Sequence, residues 1–126
     1  MFDVMLGDLT VHLARHALTD TAPAYRLHSR PEFGVTVHIG TRGPRIPALT
    51  RWADSIAADT VVLTDHGGAC TVTTSGVLDG PERATVLVQA ELWPVERAQL
   101  HAAVGDELND LELPVDQLLG AAPLAA

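Results

Sequence analysis

No lysine occurs in this chain: all eight of its basic residues are arginine, against sixteen acids and six histidines. The resulting net charge of −8 works against sequence-independent nucleic-acid binding, which depends on neutralising many phosphates with cations. Nucleic acid is therefore not an expected partner. Arginine in place of lysine, beside abundant Ala, Val and Leu, is the composition of a high-GC genome. Cysteine is down to one residue, Cys70, so no intrachain disulfide can form, no zinc-type cysteine pair exists, and a reducing compartment is expected. Met1 to Asp8 offer neither a basic stretch nor an apolar run long enough for a signal peptide or anchor. A cytoplasmic protein with no membrane association is the expectation. The phosphate loop, the dinucleotide fingerprint, the serine nucleophile elbow and paired-carboxylate motifs are also missing. No cofactor, metal or catalytic residue is expected on that basis, and the reading leans away from an enzyme.

What is present suffices for one core. Apolar residues make up 47% of the 126 and charged residues 19%, a balance on the folded side of the boundary with disorder. A globule of this length buries about two thirds of its unfolded surface. A single domain over 1–126 is expected, with 121–126 as a frayed tail. Charge is unevenly spread. Residues 26–58 hold five arginines against Glu32 and Asp54, a net of +3, whereas 59–126 set eleven acids against Arg83 and Arg97, a net of −9.

Hydrophobic spacing predicts a helix over 4–18, with Leu6, Leu9, Leu13 and Ala17 on one stripe. The polar stretch 25–33, punctuated by Pro31, reads as a loop or short helical turn. Val35, Val37 and Ile39 alternate with Thr36 and His38 as a half-buried strand does. Pro47 suits the first turn of a helix over 47–57, whose apolar stripe is Ile46, Leu49, Trp52, Ala53, Ile56 and Ala57. Trp52 should lie between that helix and the sheet. The β-branched run 60–64 completes a strand, a helix and a strand, for which a right-handed crossover between parallel strands is the default.

Gly67 and Gly68 then have the chemistry of a tight hairpin turn, which sets Leu63 against Val72 and Asp65 against Cys70. A second hairpin keeps apolar residues together only if its loop lies at 79–83, because a one-residue slip moves a whole strand to the wrong face. That register places Gly76 opposite Val86, Thr74 opposite Val88 and Val72 opposite Ala90. Pro94 opens a helix to about Val104, with Val95, Leu100, Ala103 and Val104 available for burial and Gly105 as its cap. Residues 108–119 read as one or two short helical turns broken at Pro114. The fold class expected is α+β: a two-layer α/β sandwich with a mixed four-stranded sheet, a βαβ unit followed by a β-meander, and helices mainly on one face.

Within this stretch, Leu49-x-x-Trp52-Ala53-Asp54, Thr60-Val61, Gly76-x-Leu78-Asp79-Gly80 and Thr85-Val86 resemble small uncharacterised proteins of actinobacteria and their mobile elements. The likeness covers roughly 46–92. Its motifs are a packed helix and a hairpin turn, so it implies no activity.

Three groups of side chains have chemical potential. His12 and His16 are four apart on a helix, a spacing that lets two imidazoles share a metal ion; both border the apolar stripe, and a boundary position half covered by neighbours is the favoured reading. Asp65-His66-Gly67-Gly68 with Cys70 joins a thiol, a base and a Gly-rich turn, yet the hairpin register sends His66 and Cys70 to opposite faces of the ribbon. Arg26, Arg30, Arg42, Arg45 and Arg51 could contact phosphate or an acidic partner through paired guanidinium hydrogen bonds. These five are the candidate binding residues.

The function these features favour is a non-enzymatic protein-binding or regulatory module. The alternatives are a small enzyme or metal-binding protein using His12, His16 and the 65–70 turn, and an Arg-mediated nucleic-acid binder. A homodimer is expected, because Val62, Val77 and Leu87 fall on the sheet face away from the helices. Leu108, Leu111, Leu113, Leu118 and Leu119 also exceed what a terminal segment needs for itself. Twofold symmetry would set the Arg-rich 26–51 region of one copy against the acidic 106–116 region of the other. Closure of those leucines over the uncovered sheet face within one chain is the competing account.

Overall fold

The alternation of buried and exposed residues along Thr85–Glu91 and Ala69–Val77 marks strands with one face on a core and the other toward solvent. A computed structural model of the chain describes residues 2–28, 34–66, 69–78, 84–105 and 109–120. Its strands are β1 (Pro23–His28), β2 (Gly34–Ile39), β3 (Thr60–His66), β4 (Ala69–Val77), β5 (Thr85–Glu91) and β6 (Leu111–Pro114). Its helices are α1 (Phe2–Arg15), α2 (Arg45–Ser55), α3 (Pro94–Val104) and α4 (Val115–Gly120). The strands form one mixed sheet in the order β1-β2-β5-β4-β3-β6. The α+β class holds, with six strands rather than four.

Both extra strands are edges. Pro23–His28 runs antiparallel to β2, with Tyr25 opposite Val37 and Leu27 opposite Val35, where a loop or helical turn was expected. An edge strand has one hydrogen-bonded neighbour and can stay polar outside, so its sequence lacks a strong apolar period. Leu111–Pro114 runs antiparallel to β3, with Leu113 opposite Val61, in place of a helical turn. Pro114 costs it nothing, since proline is tolerated at the margin of a sheet.

The expected crossover is also altered. β2 and β3 point the same way, but β5 and β4 lie between them, and the parallel partner of β2 is β5. The hairpins keep the predicted register throughout: Leu63 faces Val72, Asp65 faces Cys70, Gly76 faces Val86 and Val72 faces Ala90. The two turns themselves, at Gly67-Gly68 and 79–83, lie outside the described residues.

The buried strand side chains fall on one face: Val35, Val37 and Ile39, then Val61 and Leu63, Val72, Val86 and Val88. The helices cover that face. Ile46, Leu49, Trp52, Ala53 and Ile56 of the predicted α2 stripe are buried, and Trp52 is inaccessible, its indole N–H donating to Thr21 Oγ1 at 3.0 Å. Ala57 departs from the stripe, exposed and at φ 55° where α2 ends. Gly76 lets α2 touch the sheet directly, since a Cβ there would stand 2.5 Å from the Ile56 carbonyl oxygen.

In α1 the buried face is Met5, Leu9 and His12, while Leu6 is exposed, so the stripe is rotated from the one expected. In α3, Leu100 is buried and Val104 packs against the core, whereas Val95 and Ala103 are exposed and Glu96 is buried instead. The C-terminal leucines do pack within the chain, but on the helix side of the sheet. Leu113 and Leu118 are buried and Leu111 and Val115 lie partly buried against the core, so these residues do not close over the far face of the sheet. Leu108, the side chain of Leu119 and the tail 121–126 lie outside the described residues. Among the described residues no helix is long and apolar enough to cross a membrane.

Candidate functional site

The five candidate arginines do not converge. Arg26 lies on edge strand β1 opposite Thr36 and is exposed, Arg42 is exposed in the loop before α2, and Arg30 lies outside the described residues. Arg51 reaches across the helix layer to Asp20, with both carboxylate oxygens at 3.0 Å, and donates a further hydrogen bond to the Ala17 carbonyl. Those hydrogen bonds hold Asp20 below the usual carboxylate range and raise Arg51 in turn. Arg51 is therefore committed to the chain's own structure through Asp20.

Arg45 is different. It is the first residue of α2, and its guanidinium is held at three points: Nε donates to the Thr41 carbonyl at 3.2 Å, Nη1 donates to the Glu91 carbonyl at 2.8 Å, and the group lies over the Trp93 ring 4.1 Å from its centroid. The Trp93 indole in turn donates to the Gly43 carbonyl at 2.9 Å. Beneath α2, the buried Glu96 carboxylate accepts from the backbone N–H groups of Arg45 (2.9 Å), Ile46 (2.7 Å) and Trp93 (3.3 Å). One side chain of α3 thus satisfies amides that the start of α2 would otherwise leave without acceptors.

Around Arg45 opens a cleft of about 320 Å3, lined by His38, Ile39, Arg45, Thr71, Gln89 and Glu91. It lies at the carboxyl ends of the parallel pair β2 and β5, where the chain leaves the sheet. His38 sits opposite Gln89, and Thr71 opposite Glu91, on the face of the sheet away from the helices. A second cleft of about 230 Å3 beside Pro44, Pro47 and Arg51 has its arginine already neutralised by Asp20.

The remaining chemical candidates are structural in their surroundings. His12 is buried, its Nε2 2.9 Å from Ser55 Oγ and its ring stacked on Trp52 at 5.8 Å, with the His16 ring 4.4 Å away. Among the described residues no three of His, Cys, Asp and Glu gather as metal ligands would. Cys70 is buried, and burial together with the nearby Asp65 charge pushes its thiol up to about 11. Asp65 is taken by Arg97 at 2.9 and 3.1 Å. His66 pairs with Ala69 in the ladder, and its side chain lies outside the described set.

The open sheet face completes the picture. One row crosses all six strands as Ala24, His38, Gln89, Thr73, Val62 and Glu112. Val62 and Val77 are each 40% exposed there, with Leu87 half-buried among threonines. Arg26 stands toward the β1 edge and Glu112 at the β6 edge. Sequence reasoning placed Val62, Val77 and Leu87 on this face but missed the cleft, because β2 and β5 become neighbours only in the assembled sheet. Proline at 94 with glutamate two positions later was the available sign of Glu96.

Comparison of the chain with protein-family models, with curated proteins and with solved structures finds no match. The residues behind the actinobacterial resemblance serve the core: Leu49, Trp52 and Ala53 are buried in α2 and Val61 in β3.

Proposed function

We propose that this domain is a non-enzymatic protein-binding module that docks its partner on the open face of the sheet, and that the partner is a second copy of the chain. The observation that carries the reading is one-sided cover: the helices and the C-terminal segment pack on one face, while Val62 and Val77 remain 40% exposed on the other. Six strands at ~4.8 Å spacing and ~20 Å length offer on the order of 500 Å2 per copy, so about 1,000 Å2 in total. That is small for a stable interface and fits a reversible dimer. A twofold axis parallel to the strands lays the β1 edge of each copy over the β6 edge of the other and brings Arg26 toward Glu112. The dispersal of the arginines gives less support to nucleic-acid binding, and the buried, proton-bound Cys70 gives less to thiol catalysis.

Sedimentation velocity at two micromolar concentrations a tenfold apart tests the reading. A mass that rises with concentration is expected, with V77D remaining monomeric. R26E and E112R should each weaken the dimer, and the double reversal should restore it. A single monomer mass at both concentrations would remove self-association.

A further inference from the structure

We infer that the cleft at the carboxyl ends of β2 and β5 is a binding site for a small zwitterion, a molecule with an oxyanion at one end and an ammonium group at the other. This goes beyond the docking reading and does not depend on it. The starting point is the electrostatic position of Arg45. Arg51 faces Asp20 and Arg97 faces Asp65, but Arg45 makes no ion pair among the described residues. Two carbonyl oxygens and the Trp93 ring fix it in place without cancelling its charge. Neutral acceptors thus orient a guanidinium whose fork is suited to a carboxylate or phosphate. These contacts hold the side chain in one rotamer, which lowers the main entropic cost of using an arginine.

The other walls divide by polarity. His38 adds a second nitrogen donor or acceptor beside Arg45, and Thr71 and Gln89 supply hydrogen-bonding groups from β4 and β5. Glu91 lines the same cleft, and the strand register puts its side chain on the same face of the sheet as Thr71 and Gln89, so a bare anion is a poor fit. A ligand that gives its oxyanion to Arg45 and His38 and its ammonium to Glu91 satisfies both signs. The volume of about 320 Å3 is at the small end for ligand pockets, which limits the occupant to roughly amino-acid size. The site is placed where α/β sheets commonly take ligands, outside the carboxyl ends of parallel strands.

The test is a titration of the 15N-labelled full chain, followed by amide shifts, with glycine and phosphoethanolamine as zwitterions and acetate and inorganic phosphate as half-ligands. The zwitterions should saturate with dissociation constants on the order of 1 mM, with shifts centred on 38–45, 71 and 89–91; whichever binds tighter identifies the oxyanion as carboxylate or phosphate. H38Q, at an exposed position, should weaken binding about threefold, and R45Q about tenfold or more. E91Q should abolish the preference for zwitterion over half-ligand. V77D, at the far end of β4, leaves the cleft walls in place, so titrating this variant tests the site apart from the docking reading, whose face shares His38 and Gln89 with the cleft. Absence of saturation with every probe up to about 50 mM, or affinities unchanged in both H38Q and E91Q, would overturn the assignment.

Discussion

Two helices end on alanines in the left-handed region, Ala17 at φ 54° after α1 and Ala57 at φ 55° after α2. Each is followed by the long-span bond of a Schellman-type cap, Leu18 N–H to the Leu13 carbonyl at 2.9 Å and Ala58 N–H to the Ala53 carbonyl at 2.8 Å. Glycine usually occupies that position, because a Cβ there costs about 1 kcal/mol or more. Ala57 is exposed, so Ala57→Gly loses no packing and should raise stability by about 0.5–1 kcal/mol, read from urea unfolding. A loss of stability would show that the cap tolerates Cβ without strain. Alanine gives no sequence signal for such a cap, which is why the predicted α1 overran its end, whereas Gly105 at φ 100° was legible at once. Cys70 provides a second residue-scale expectation. Its thiol, 9.0 in an unfolded chain, is pushed up to about 11 when buried, so between those values the unfolded chain has lost a proton that the folded chain keeps. Stability therefore falls as pH rises from 9 to 11, and C70A should lessen the decline. Equal declines in the two proteins would contradict the assignment.

Between elements, the Glu96 carboxylate ties α3 to the start of α2. Its three N–H donors, on Arg45, Ile46 and Trp93, lie at 2.7 to 3.3 Å, and the side chain is 3% exposed. Removing it leaves buried amides without acceptors, so Glu96→Ala should cost about 2–3 kcal/mol, and Glu96→Gln, which retains one oxygen, about 1 kcal/mol. Hydrogen exchange of the first turn of α2 should quicken in both. A cost under about 0.5 kcal/mol for Glu96→Ala would mean that water replaces the carboxylate freely. The strand registers were readable because Gly67-Gly68 in the sequence aligns β3 with β4, while between β4 and β5 a one-residue slip would carry the apolar residues to the wrong face. β1 and β6 were not, since a six-residue edge and a four-residue Leu-Glu-Leu-Pro segment carry too few alternations to stand out from loop. The insertion of β5 and β4 between β2 and β3 is a long-range choice with no local signature, and it is this choice that creates the cleft around Arg45.

At the scale of the whole molecule, the proposed dimer would divide the sheet into a face for stability and a face for association, and that division can be measured. On the covered face the C-terminal segment closes the core: Leu118 is inaccessible, Leu113 is 5% exposed, and α4 packs against α2, β3 and β6. Leu118→Ala should therefore cost about 2–4 kcal/mol, the range for emptying a buried leucine site, and lower Tm by on the order of 10 °C. Because the cavity forms on the helix side, sedimentation of the folded variant at low temperature should match the parent. On the open face Val77 is 40% exposed, so Val77→Asp removes little buried area and should change stability by less than about 0.5 kcal/mol. It places a charge where the second copy would pack, and so should abolish concentration-dependent association. If Leu118→Ala dissociated the dimer while Val77→Asp left it intact, the interface would lie with the C-terminal segment and the open-face proposal would fall.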